Sequence, residues 1–308
     1  GDESVAHALH EGQRGGAETG PLGLWSSQAA ACVLRSKLIS LLEEADACGE
    51  ELVVWDPFCS SGVLLLEVLG ICLGIPPASP FMKMQFQDFP CYQAQTFEKA
   101  IRSLDVHPHP AIRSLILLGT DTDPQSIPAA QANLHALRRV MPRKRFAPVA
   151  DLPCSVRFRH LDSVAVLPPE LRGRRLLILT NSPYGSKSAL GDAGRAYRDL
   201  GRVITAQAKF GSLQAAYCVA ARDYFQRGTG LEWRTELRFR NGGIAVQLLR
   251  WTGQLGTDAE ADASHKARKK RRQRHHSGDK EEGPAMRSNP PSQAGAVGEF
   301  SRGSFNGK

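Results

Sequence analysis

The 308-residue sequence is 42% hydrophobic and only 7% aromatic, enough for one large core with at most a small appendage. No apolar stretch reaches the roughly 20 residues that span a bilayer, and the first residues lack the basic-then-apolar order of a signal peptide, so a soluble intracellular protein, cytoplasmic or nuclear, is expected. Of the net charge of +8, six units fall between residues 261 and 308, which hold 11 Lys and Arg against 5 Asp and Glu; the nearly neutral body gives no global basicity to argue from, and the seven cysteines include no CxxC pair, which argues against a disulfide framework or a bound metal.

Residues 1–19 read as a flexible N-terminal segment, and a chain beginning at Gly1 is expected to be a fragment that has lost an upstream domain. From there to residue 252, apolar runs alternate with helix-like segments, the pattern of βα units and a mostly parallel sheet. Strands are expected over 51–56 (ELVVWD), 114–119 (SLILLG), 155–159 (SVRFR), 176–180 (LLILT) and 215–220 (AAYCVA), with helices over 63–73, 126–141 and 195–208. Asp123 or Ser126 would cap the second of these helices, with Pro124 or Pro128 tolerated in its first turn. Residues 75–110, with Pro76, Pro77, Pro80, Pro90 and Pro108 among scattered aromatics, carry no sustained periodicity and read as an inserted loop. Two further runs, 233–240 and 244–251, flank Asn241-Gly242-Gly243, a hairpin signal. Residues 253–308 have too little apolar surface to offset ordering entropy and read as a disordered tail; its run 266–274 (KARKKRRQR) suits nuclear import or phosphate binding.

Four loci carry chemistry. The first strand ends in Asp56-Pro57-Phe58-Cys59-Ser60-Ser61-Gly62, a tight turn of small residues opening a helix whose N–H groups offer donors to a ligand. The second strand ends at Asp121, where doubly wound folds bind a nucleoside ribose; the first turn has no G-x-G-x-x-G, which argues against a dinucleotide. Asp162, past the third strand, could accept from an adenine amino group. Past the fourth stand Asn181-Ser182-Pro183-Tyr184: the Asn181 carbonyls can accept from an exocyclic amino group, and Tyr184 can stack on its base. An aryl amine delocalises its lone pair into the ring, so holding it towards a methyl sulfonium would supply much of the catalysis by positioning.

These motifs, in this order, resemble class I S-adenosylmethionine-dependent methyltransferases, and DPFCSSG with TNSPYG resembles their amino-methylating branch. Gly20-Pro21-Leu22 before an apolar helix, the Phe86–Phe97 insertion, Tyr197-Arg198-Asp199-Leu200-Gly201-Arg202 and Asn241-Gly242-Gly243 are similar to the THUMP-associated RNA guanine-N2 methyltransferases over about residues 20–252. The resemblance implies a seven-stranded sheet, S-adenosyl-L-methionine as cofactor and a guanine amine in tRNA or rRNA as acceptor. It also implies catalysis by Asn181, Pro183 and Tyr184, and cofactor contacts from the Asp56–Gly62 turn, Asp121, Asp162 and Asn181. RNA capture would fall to an upstream THUMP domain, a partner subunit, or local patches such as Arg138, Arg139, Arg143, Lys144 and Arg145. Two departures stand out: Ser60 replaces a usual Gly, with either a crowded methionine subsite or a negative φ as its expected consequence, and Ser182 replaces the first proline of Asn-Pro-Pro-Tyr. DNA-base or protein-glutamine methylation and a catalytically silent binding subunit are the alternatives.

Overall fold

In the computed structural model, residues 24, 26–75, 85–103, 107–140, 152–184 and 190–256 are described. Three groups singled out above, Gly20–Leu22, the basic residues Arg143, Lys144 and Arg145, and the run 266–274, lie outside them, as do residues 1–19 and 257–308. Seven strands form a single sheet: β1 (Leu52–Asp56), β2 (Leu115–Asp121), β3 (Ser155–His160), β4 (Arg175–Asn181), β5 (Leu213–Ala220), β6 (Leu231–Asn241) and β7 (Ile244–Leu255). Their spatial order is β3-β2-β1-β4-β5-β7-β6; every neighbouring pair among the first five is parallel, and β7 alone runs against its neighbours. Strand order reverses between β1 and β4, which opens a crevice at the carboxyl edge of the sheet.

The central strands read as continuous apolar runs because both of their faces are covered. In β1 every residue is buried, and alternate side chains enter separate cores. Leu52 and Val54 join Leu42, Leu65 and Leu69 on one face, contributed by α2 (Leu38–Ala47) and α3 (Val63–Cys72), with α1 (Ser26–Arg35) supplying Cys32 and Val33. Val53 and Trp55 face the other way, towards Tyr197, Leu200 and Ile204 of α6 (Leu190–Lys209) and Phe225 of α7 (Arg222–Thr229). The fully buried Trp55 keeps its indole satisfied by donating to Thr120 Oγ1 at 3.0 Å.

The expected strands and hairpin all form. Gly242 and Gly243, at φ +52 and +84, make the two-residue left-handed turn that matches strand twist. Differences lie in the helices. The insertion contains an amphipathic helix, α4 (Ala94–Ser103), anchored by edge contacts of Phe97 and Tyr92 with Phe86; with so few apolar positions its periodicity is too short to read. The helix α5 (Ser126–Val140) starts where expected, with the Asp123 carboxylate accepting from Gln125 N–H at 3.0 Å. α6 begins five residues before the expected start, and α7 spans only eight residues, too few to show a helical period in the sequence. No helix among the described residues is long and apolar enough to cross a membrane.

Candidate active site

Because β3, β2, β1 and β4 are consecutive and parallel, their carboxyl ends bring all four predicted loci side by side on one edge. Asp121 and His160 are in register across β2 and β3, and the Leu161 N–H donates to the Asp121 carbonyl at 3.0 Å, which sets Asp162 beside Asp121 with its side chain exposed.

The turn after β1 is braced from three directions. Cys59 N–H donates to the Thr120 carbonyl (3.0 Å), Ser60 N–H to Asp121 Oδ2 (2.8 Å), and the Asn133 amide of α5 to the Ser61 carbonyl (2.9 Å). The remaining Asp121 oxygen accepts from Asp123 N–H at 2.9 Å. Both carboxylate oxygens are thus oriented by backbone donors while the side chain stays partly open, and each retains a lone pair for a ligand hydroxyl. Ser60 takes φ +46, the one non-glycine residue with positive φ among those described. It occupies the left-handed region that the glycine it replaces would favour, at a cost of roughly 1 kcal/mol, and the expected alternative of a negative φ does not hold. Beneath the turn, the ring of Phe158 of β3 packs against two glycines: a Cβ at Gly119 would come within 2.5 Å of its ring and 3.0 Å of Cys59 Cβ, and one at Gly62 within 3.0 Å.

The first four members of the turn face inward. Asp56 is buried, accepting at Oδ1 from Phe58 N–H (3.1 Å) and from the Thr180 hydroxyl of β4 (2.5 Å). Burial pushes its carboxyl up to about 7, the two hydrogen bonds opposing and the nearby Asp121 adding to the rise. Pro57 is buried, and burial also drives the Cys59 thiol upward, away from thiolate chemistry. Phe58 packs on the α6-side core. Asp56, Pro57 and Cys59 therefore shape the turn from below, whereas Ser60 is exposed and Ser61 half-buried above them.

Past β4, Ser182 explains its own presence. Its N–H (3.1 Å) and its hydroxyl (3.0 Å) both donate to the Val219 carbonyl of β5, two bonds a proline could not make. The Pro183 carbonyl accepts from the buried Tyr197 hydroxyl of α6, whose ionisation burial pushes up to about 12. Tyr184 packs against the α1–α3 core, and its hydroxyl accepts from Asn241 Nδ2 at the hairpin tip (2.8 Å). Asn181 lies within hydrogen-bonding reach of the same hydroxyl, yet its Oδ1, buried, accepts from no donor among the described residues. Such an orphan acceptor costs about 1–3 kcal/mol and is a natural seat for a ligand N–H. Tyr197, Asn241, Thr180 and Asn133 are positions that sequence motifs did not single out for these contacts, since each meets its partner only through the sheet.

The class I methyltransferase fold is thus the architecture, a seven-stranded sheet with β7 reversed and a crevice at the β1/β4 switch point. In sequence and fold the chain resembles class I S-adenosylmethionine-dependent methyltransferases, including the THUMP-associated group. No protein-family model matches it. It is 25% identical over 224 residues to a protein from Synechocystis sp. whose name is that of a provisional RNA methyltransferase, covering 71% of this chain and 52% of that one. It is 27% identical over 253 residues to ribosomal RNA large subunit methyltransferase K/L of Chromohalobacter salexigens, covering 81% of this chain and 31% of that one. The chain spans about half the length of the first of these relatives and under a third of the second. Among solved structures, a predicted N6-adenine-specific DNA methylase from Listeria monocytogenes superposes with TM-score 0.54 at 18% identity, covering 79% of this chain and 55% of that one. A methyltransferase complexed with SAH, SMU.472, does so at 0.53 and 18% identity, covering 80% and 56%.

Proposed function

We propose that the chain is the catalytic part of an S-adenosylmethionine-dependent RNA methyltransferase that transfers a methyl group to the exocyclic N2 amine of guanine in tRNA or rRNA. The observation that carries this reading is the buried Asn181 Oδ1, which accepts from no donor among the described residues, at the carboxyl end of β4 and across the switch point from the Ser60–Gly62 turn. An amide oxygen so placed fits an amine N–H.

The rest of the edge fits the donor. Asp121, oriented by Ser60 and Asp123 N–H groups, suits ribose hydroxyls, and the exposed Asp162 suits an adenine amino group. Ser60, Ser61 and Gly62 line the turn under the amino-acid end, and Asp56, Pro57, Phe58 and Cys59 hold that turn in shape. When bound, the donor supplies an electrophilic methyl group on a sulfonium centre. Asn181 accepts one amine hydrogen, Tyr184 stacks on the base with its hydroxyl tethered by Asn241, and Tyr197 fixes Pro183 between them. The catalytic contribution is orientation: the amine lone pair is turned towards the methyl carbon and the amine is drawn out of water. RNA as the acceptor is favoured by the names of both sequence relatives, and the amine by the Asn-Ser-Pro-Tyr turn. An upstream THUMP domain or a partner subunit would extend the RNA grip; a nuclear or cytoplasmic location suits either.

Asn181→Ala tests the reading. Isothermal calorimetry should find donor affinity within a few fold of the parent chain, while tritium transfer to total RNA is lost; a variant that still methylates RNA at the parent rate removes the assigned role. Label appearing in DNA or protein instead of RNA would favour the alternative acceptors, and no donor binding by the parent chain would favour a silent binding subunit.

A further inference from the structure

The outer hairpin changes faces part-way along. At the start of β6, Leu231 and Trp233 pack in the core shared with α6 and α7, but after the register shift between Thr235 and Leu237 it is Leu237 and Phe239 that pack against the opposite core, under α1–α3. A bulge has reversed the parity of the strand. Arg234 consequently lies on the α1 side, where Glu236 accepts its guanidinium at 2.6 Å and also faces Arg35 of α1 at 4.0 Å. Arg238 and Arg240 lie on the α7 side, opposite Gln247 and the exposed Ala245.

These two arginines are exposed and, among the described residues, pair with no carboxylate; Arg240 Nη1 donates only to the Gly243 carbonyl at 3.3 Å. Arg157 and Arg159 of the opposite edge strand differ, both meeting the buried Glu170. Two like charges about 7 Å apart along a strand, with no counter-charge, suit successive phosphates better than they suit folding. On the same side α7 presents Tyr224, 59% exposed, with the Arg227 guanidinium 5.7 Å above its ring. Beyond Arg240 the strand ends at Asn241, which tethers Tyr184.

We propose that Arg238 and Arg240 form a strip, with the exposed Tyr224 of α7 on the same side of the sheet, that holds the phosphate backbone of the RNA next to the nucleotide presented at the Asn181–Tyr184 edge. The inference rests on the RNA reading above and adds the surface by which RNA is gripped. Arginine fits because it neutralises phosphate without a pKa to lose, and an exposed aromatic flanked by cations is a stacking platform for an unpaired base.

The test is anisotropy titration of the full chain with a fluorescein-labelled, mixed-sequence oligoribonucleotide over a series of salt concentrations. Removing two phosphate contacts should flatten the slope of log K against log salt by about 1.4, so Arg238→Ala/Arg240→Ala binds about tenfold more weakly at low salt and converges on the parent at high salt. Tyr224→Ala should weaken binding by a similar factor at all salt concentrations, because stacking releases no counterions. Arg234→Ala removes the same charge from the other face and should leave the slope unchanged. An unchanged slope in the double variant, or an equal loss in Arg234→Ala, overturns the strip; if the parent chain still methylates RNA in that case, the proposed function stands without it. A parent chain that binds no oligoribonucleotide overturns the strip and the RNA substrate together, and donor calorimetry then decides whether a methyltransferase acting on another acceptor remains.

Discussion

Asp56→Asn separates shaping the turn from binding a ligand. The folded carboxyl titrates near 7, against about 3.9 in an unfolded chain. A group whose folded pKa lies above its unfolded one binds more protons when folded over that interval, so stability falls as pH rises from about 4 through 7 and is fully present only below the unfolded pKa. The shift amounts to a penalty of about 4 kcal/mol at pH 8, of which about 3 kcal/mol develops between pH 5 and pH 8. Both hydrogen bonds to the side chain land on Oδ1, which an asparagine carbonyl can replace, so the variant keeps them and sheds the charge. Urea unfolding at pH 5 and pH 8 should therefore find the parent losing stability across that range and Asp56→Asn losing much less, becoming the more stable of the two at pH 8. Donor affinity should change little, since the residue touches the ligand only through the turn it shapes. A parent whose stability is flat between the two pH values, or a variant with the same slope, would refute the assignment of a buried, reluctantly ionised Asp56.

Three substitutions probe the rest of the edge. Tyr197→Phe loses the hydroxyl that holds the Pro183 carbonyl, a bond worth about 1 kcal/mol, and should lower kcat about fivefold with donor affinity unchanged; equal kcat would mean that the turn holds itself. Gly119→Ala drives a methyl into Phe158 and Cys59 and should destabilise by about 1–3 kcal/mol, read as a lower urea midpoint. Ser60→Gly relieves a left-handed serine, and a gain of up to about 1 kcal/mol in stability is expected, with donor affinity equal or tighter; weaker donor binding would mean that the Ser60 hydroxyl is itself a contact.

The parts of the fold readable in the sequence were those whose signals are local. The strands β1, β2 and β4 are buried on both faces, so their apolar runs stand out, and Asp56–Gly62 and Asn181–Tyr184 are contiguous turns at strand ends. The order of these motifs implied a shared edge, and the topology places all four there. What escaped was long-range. Thr180 reaching Asp56, Tyr197 reaching Pro183 and Asn241 reaching Tyr184 join residues on different elements, and no spacing rule predicts such pairs. The bulge in β6 is equally silent, since the alternation of LEWRTELRFRN continues through it while the faces exchange. Ser182 departs from the Asn-Pro-Pro-Tyr pattern in sequence, and its two bonds to the Val219 carbonyl give it a structural purpose that only the sheet reveals.

The reaction proposed for this edge is methyl transfer to a guanine amine in RNA. Its most direct test is to incubate the chain with tritiated S-adenosylmethionine and unmodified tRNA and rRNA transcripts, digest to nucleosides and resolve them chromatographically. Label should elute with N2-methylguanosine and depend on Asn181; label on another nucleoside, or none in RNA while the donor binds, would rule out guanine N2 as the acceptor.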